Sequence, residues 1–236
     1  MAIGTAPMTE RPTLSLLHFT DSAFPTGGYA HSFGLESYCE AGIVRDADGL
    51  ARFLTMLLEG AAGPCDATAA VAARAAMAME DLGRCRHLDE TLEAMKPARE
   101  LREGSRQMGR QTLRVAAALT ADSRLASYLD EVNAGRVPGH HAVAFGMAGG
   151  VLGWTALEVA TGLLYSTASL LVGASLRLLR MGQLEGQRVL WGLRATIERM
   201  AQEAAGRDPA DLWSFTPGLD IQSMRHERLE TRLFRS

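Results

Sequence analysis

An all-α fold, a single-domain bundle of about ten helices, is what this sequence predicts. The 236 residues include 37 Ala and 32 Leu against only 10 Val and 4 Ile. Ala and Leu lose little rotamer freedom on a helix, whereas strands favour the β-branched residues that are scarce here. Apolar residues also recur at helical spacing, most cleanly at Leu50, Phe53, Leu54, Leu57 and Leu58, which is the i, i+3, i+4, i+7, i+8 stripe of a core-facing helix. Hydrophobic residues make up 47% and charged residues 22%, the balance of a chain that can bury a core.

Residues 1–12 hold two prolines and little periodicity, so a flexible N-terminal arm is expected there. Thr13 can cap the short apolar run 14–19. Residues 21–29, rich in turn formers, read as a loop. Helix resumes over 32–40 and stops near Gly42. Asp46 or Asp48 caps the helix that carries the Leu50–Leu58 stripe, and Pro64 and Asp66 start an alanine-rich helix to about residue 80. Residues 84–95 form a shorter helix, Pro97 opens another in its first turn, and 123–131 closes the first half before the turn-rich 133–139.

The second half is more apolar. Residues 142–157 and 162–176 are free of charge, yet each falls short of the roughly 20 residues that span a bilayer, so a buried helical hairpin is expected. Gly146 and Gly150, and likewise Gly149 and Gly153, recur four apart, a spacing that lets another helix approach closely. One further amphipathic helix is expected over 185–205, with Leu190, Leu193, Ile197 and Met200 on its inner face. A short capped turn at 208–213 and a charged end follow. The domain then runs over 13–224, with 225–236 as a C-terminal tail.

A net charge of −3 gives no basic footprint for nucleic acid. Three widely spaced cysteines, Cys39, Cys65 and Cys85, cannot form a four-ligand zinc site and suit a reducing compartment. The first residues lack the pattern of a signal peptide. A cytoplasmic protein that acts on neither membrane nor nucleic acid is expected. No GxSxG, HExxH, phosphate-binding or dinucleotide loop occurs, so no catalytic residues are expected. His31 and Glu36 could serve as an acid–base pair, but a glycine-rich turn braced by His31 is the simpler reading. Adjacent side chains on a helix diverge by about 100°, so His140 and His141 cannot easily chelate one ion. They can start a helix and donate hydrogen bonds, or make a transient contact with a metal ion, since imidazole suits nickel and zinc.

Arg102, Arg106, Arg110 and Arg114 form a row along one helix side, either a solvated face or a partner surface. Residues 224–236, MRHERLETRLFRS, carry a side-chain charge of +2 and end on Leu233 and Phe234, next to arginines. Such residues anchor interfaces, or dock a last helix onto its own domain.

Residues 21–36, DSAFPTGGYAHSFGLE, resemble the N-terminal signature of the urease accessory protein family UreF. Residues 139–146, 178–187, 219–224 and 225–236 resemble that family in the same order. The resemblance implies an all-helical, dimerising, non-enzymatic protein. It would bind UreD (also called UreH), recruit the GTPase UreG to apo-urease, and so aid nickel delivery, regulating the GTPase cycle. It implies no tightly bound cofactor, only nickel in transit. It nominates Arg225, Arg232, Leu233, Phe234 and Arg235 in the tail, and Tyr29, His31, Ser32 and Glu36 in the glycine-rich motif, as partner-binding residues. A direct nickel carrier using His140 is the alternative.

Overall fold

The computed structural model describes residues 12–229 and 231–235. In chain order the helices are α1 Pro12–Thr20, α2 Leu35–Glu40, α3 Ala47–Leu57, α4 Thr68–Ala78, α5 Leu82–Met95 and α6 Arg99–Thr120. They continue with α7 Ser123–Asn133, α8 His141–Val151, α9 Ala156–Leu178, α10 Gln183–Gly192, α11 Arg194–Gly206 and α12 Pro217–His226. No strand occurs among the described residues. The all-α expectation therefore holds. Residues 1–11 of the expected arm lie outside the described residues, and Pro12 already belongs to α1.

Aspartates and a threonine punctuate the bundle as their chemistry demands. Asp46, rather than Asp48, caps α3 by accepting from the Gly49 amide at 2.8 Å. Asp81 and Asp122 cap α5 and α7 in the same manner, and Thr155 with Glu158 forms a capping box at the start of α9.

The centre is α8, which packs on α4 and α6 and doubles back into α9. It is apolar all round, and residues 142–149 are buried, as such a helix must be. A Cβ on Gly146 would lie 2.1 Å from the Ala70 carbonyl oxygen, so α4 and α8 can touch only because that position is glycine. Trp154, in the turn between α8 and α9, lies with its ring centroid 5.2 Å from that of Phe145, tilted by 47°, and donates its indole N–H to Ser15, fixing α1 to the core. Although α9 is long and apolar enough to cross a membrane, over half of its most apolar window is buried by the other helices.

Five local expectations need correction. Thr13 does not cap the first helix but lies inside α1, which already includes Pro12. Pro64 does not start a helix: it lies inside a π-helical stretch, Leu58–Ala67, that joins α3 to α4. A proline ring clashes with the carbonyl four residues back in an α-helix, and the wider π turn relieves that clash. The carbonyls set free find other donors, with Gly60 accepting from the Phe215 amide at 2.8 Å. The helix expected from Pro97 begins two residues later. The single helix expected over 185–205 breaks after Gly192, although Leu190, Leu193, Ile197 and Met200 are all buried. The helix expected from residue 32 starts at Leu35, because Phe33 and Gly34 both take left-handed backbone conformations.

Candidate partner-binding site

The glycine-rich motif folds as a tight loop between α1 and α2. The Asp21 carboxylate accepts from the Ala23 amide at 2.7 Å, and a single 3-10 turn, Gly28–Ala30, reverses the chain. That turn leaves Tyr29 76% exposed while His31, Ser32 and Glu36 go inside. Burial pushes the His31 imidazole below the ordinary histidine range, outweighing a hydrogen bond to Gln107, and the nearby Arg235 charge adds to the effect. Ser32 Oγ accepts from the Glu36 amide at 3.3 Å, bracing the first turn of α2. Gly34, at φ +85°, fits under α12 only without a side chain, since a Cβ there would lie 2.8 Å from both Leu219 and Ser223.

The tail returns to this loop from the far end of the sequence. Glu36 Oε1 accepts from the Leu233 amide at 2.7 Å, and its Oε2 accepts from the Phe234 amide at 3.1 Å. The Arg235 amide donates to the Ala30 carbonyl at 2.8 Å. Phe234 is 3% exposed. The Arg177 guanidinium, at the end of α9, lies 4.1 Å from the Tyr29 ring centroid and 4.1 Å from that of Phe234. It also donates to the Tyr29 carbonyl at 2.9 Å. Beneath them, His226 bridges Glu36 (2.9 Å) and Glu100 (2.7 Å), and Arg232 donates to the other Glu100 oxygen at 2.9 Å.

The two nominated groups thus form one surface. Tyr29, Leu233 and Arg235 face outward, as does Arg225 in the last turn of α12. His31, Ser32, Glu36 and Phe234 are buried beneath them, and Arg232 is tied down by Glu100. The tail therefore docks on its own domain through three backbone amides, the buried Phe234 ring and Arg232. Three contributors escaped the sequence reading. Arg177 carried a signal, a cation that ends the 18 uncharged residues 159–176. His226 belongs to the tail motif but carries no separate signal of its own. Glu100 gave no signal.

The other candidates are tied into the fold. His140 precedes α8, with its Nδ1 3.1 Å from Ser105 Oγ and its Nε2 3.0 Å from Glu93. Burial pushes its pKa down to about 3, helped by Lys96, Arg106 and Arg102. The neutral ring fits as an acceptor at Nδ1 and a donor at Nε2. Its amide and that of Gly139 donate to the buried Asp89 at 2.7 Å each, and burial raises the Asp89 carboxyl to about 6. Among the described residues, no group of three or more His, Cys, Asp or Glu side chains is arranged to hold a metal ion. In the arginine row, Arg102 and Arg106 share Glu93 at 3.2 and 3.6 Å, while Arg110 and Arg114 are exposed. Behind the motif loop lies a cavity of about 760 Å³, reached by Phe24, Met108, His141 and Leu170.

The family model UreF matches residues 44–194. Similar full-length proteins include the urease accessory protein UreF of Corynebacterium glutamicum (strain R), 35% identical over 94% of this chain and 96% of its own. That of Paenarthrobacter aurescens (strain TC1) is 34% identical over 97% of this chain and 100% of its own. That of Bradyrhizobium sp. (strain BTAi1) is 34% identical over 98% and 96%.

Proposed function

The chain belongs to the UreF family of urease accessory proteins, and from that premise we propose that it serves urease maturation as a non-enzymatic assembly protein. On this reading it binds UreD (UreH) and recruits the GTPase UreG to apo-urease in the cytoplasm, adjusting the GTPase cycle as nickel is delivered. The observation that carries the reading is the joining of motif and tail. Tyr29, Leu233 and Arg235 stand out from a base fixed by Glu36, which is the aromatic, aliphatic and arginine mixture that anchors interfaces. Glu36, Ser32 and His31 then act by positioning rather than by contact.

Two copies would associate, as the family resemblance implies. Nickel is the cargo of the assembly. A transient contact with His140 would require that ring to leave Ser105 and Glu93.

Co-expression with cognate UreD and UreG followed by pull-down tests the proposal. The full chain should capture both. A chain ending at Arg228, which keeps α12 whole, should lose UreG, as should a Tyr29→Ala, Arg235→Ala double variant. Unchanged capture of UreG by both would overturn the assignment of recruitment to this surface. Normal urease activation at limiting nickel in cells lacking the protein would overturn the function itself.

A further inference from the structure

The cavity behind the motif loop opens beside exposed cations. Arg114 of α6 and Arg177 of α9 both line it, as does Tyr29, and all three are exposed. Arg110 precedes Arg114 by one helical turn, Arg180 follows Arg177 three residues on, and both are exposed too. None of these four guanidiniums pairs with a carboxylate among the described residues, whereas Arg102 and Arg106, in the same row on α6, share Glu93. The exposed carboxylate at the rim, Asp21, is turned back onto the Ala23 amide. Deeper in, Lys96 pairs with Asp66 at 2.7 Å, and its charge is felt by Asp220. The face around Tyr29 is therefore positive in a chain whose net charge is −3.

Behind that rim the wall is apolar, with Phe24, Leu101, Met108, Leu163 and Leu170 facing the space. One polar atom on the wall has no partner. Gln111 Oε1, next to Arg110 on α6, is buried and accepts no hydrogen bond among the described residues. Buried polar atoms are ordinarily satisfied, so this carbonyl suits a donor from outside the chain. Gly173, one turn before Arg177, keeps the opening wide, because nothing lies within 4 Å of a Cβ built there.

From this geometry we infer that the partner of this face is an acidic protein segment with an apolar anchor, which enters the cavity while its carboxylates meet Arg110 and Arg114. The inference rests on the recruitment reading and says what the recruited surface must look like. Each part of the site selects one part of the segment. The apolar wall takes the anchor, since interface energy concentrates where a side chain fills a desolvated pocket. The Gln111 carbonyl takes a main-chain N–H, which removes the cost of leaving it unpaired. The guanidiniums take carboxylates, whose two oxygens match the planar fork of arginine. A phosphate-rich partner would meet the same cations but leave the apolar wall uncovered.

Binding kinetics test this on the chain held in complex with cognate UreD, with UreG as the analyte. An Arg110→Glu, Arg114→Glu double variant should slow association about tenfold at about 0.05 M salt, and the difference should shrink toward about 0.5 M, where exposed charges are screened. Gly173→Leu starts a side chain in open space at the cavity mouth. It should leave association nearly unchanged and speed dissociation about tenfold, while Gly173→Ala should bind as the unaltered chain does. Retention of UreD and of the helical circular dichroism shows that each variant is folded. Should Gly173→Leu lose UreD, the charge variant alone decides. Unchanged association in the charge variant at low salt would overturn the inference, as would unchanged dissociation in a folded Gly173→Leu protein. Either result, with UreG still captured, leaves the recruitment reading standing. No capture of UreG by the unaltered complex would overturn that reading and this inference with it.

Discussion

Glu36 and Phe234, 198 positions apart, are joined by a hydrogen bond of 3.1 Å from the Phe234 amide to the Glu36 carboxylate. The same carboxylate accepts the Leu233 amide and faces His226. One buried acid therefore ties the end of the chain to the glycine-rich loop near its beginning. Replacing it leaves two amides and an imidazole without an acceptor, and each such loss costs about 1–3 kcal/mol. Glu36→Ala is expected to free the tail without unfolding the bundle. Trypsin should then cut at Arg228 and Arg232 sooner than in the unaltered chain, with the helical circular dichroism retained. Equal cleavage rates would show that Glu36 does not hold the tail.

Arg177 joins the two stretches from above. Its guanidinium lies between the rings of Tyr29 and Phe234, an arrangement worth roughly 0.5–2 kcal/mol. Arg177→Ala should loosen the tail and weaken capture of UreG. Arg177→Lys, which keeps the charge but loses the flat face that stacks, should fall between the two. A lysine variant no different from the alanine would assign the effect to stacking alone. An alanine variant with full capture would remove Arg177 from the site.

The bundle was legible because its signals are local. The Leu50–Leu58 stripe, the aspartate caps and the small-residue spacing around Gly146 each depend on a few neighbouring residues, and all reappear as buried faces, caps and a close crossing. The errors arose where distant contacts decide. Pro64 reads as a helix start until the segment around Phe215 is seen to take the carbonyl of Gly60. The motif and the tail were each visible as unusual sequences, but nothing in either spells out that Glu36 accepts the backbone of the other. A main-chain donor leaves no residue-type signature. Glu100 was hidden for a related reason: an acid in the first turn of a helix is ordinary, and only the tertiary fold gives it His226 and Arg232 as partners.

Gly146 makes the central crossing possible, and its replacement is a direct test of the packing. A methyl group there would meet the Ala70 carbonyl oxygen at 2.1 Å, with Ala70 backbone carbons also inside 3 Å. Backbone cannot rotate aside as a side chain can, so α4 and α8 must separate. Overpacking of this kind costs about 1–3 kcal/mol or more. Gly146→Ala should lower the urea midpoint, whereas Gly206→Ala, at a position with nothing within 4 Å, should leave it nearly unchanged. Equal midpoints for the two variants would mean that the helices do not cross so closely.

Acid stability follows from the cluster between α5 and α8. Burial lowers His140 from 6.5 to about 3 and His141 from 6.5 to about 4. Both imidazoles therefore stay neutral in the folded chain at pH 5 and are protonated in the unfolded one. Asp89 works the other way. Burial raises it from 3.8 to about 6, so the folded chain holds a proton there that the unfolded chain has released. Between pH 6 and 5 these three groups leave the unfolded state with two protons that the folded state lacks and without one that it holds, a net excess of one from this cluster, to which the lowered His31 imidazole adds and the raised Asp220 carboxyl is opposed. Stability should fall with pH across that window by up to about 1.4 kcal/mol per unit. In Asp89→Asn the opposing proton is gone, and the slope should approach twice that value whatever the variant's baseline stability. Urea unfolding at pH 6.0, 5.5 and 5.0 on both proteins measures the two slopes. A flat profile in the unaltered chain would mean that the buried imidazoles can charge in place, and an equal slope in Asp89→Asn would mean that Asp89 is ionised in the folded protein.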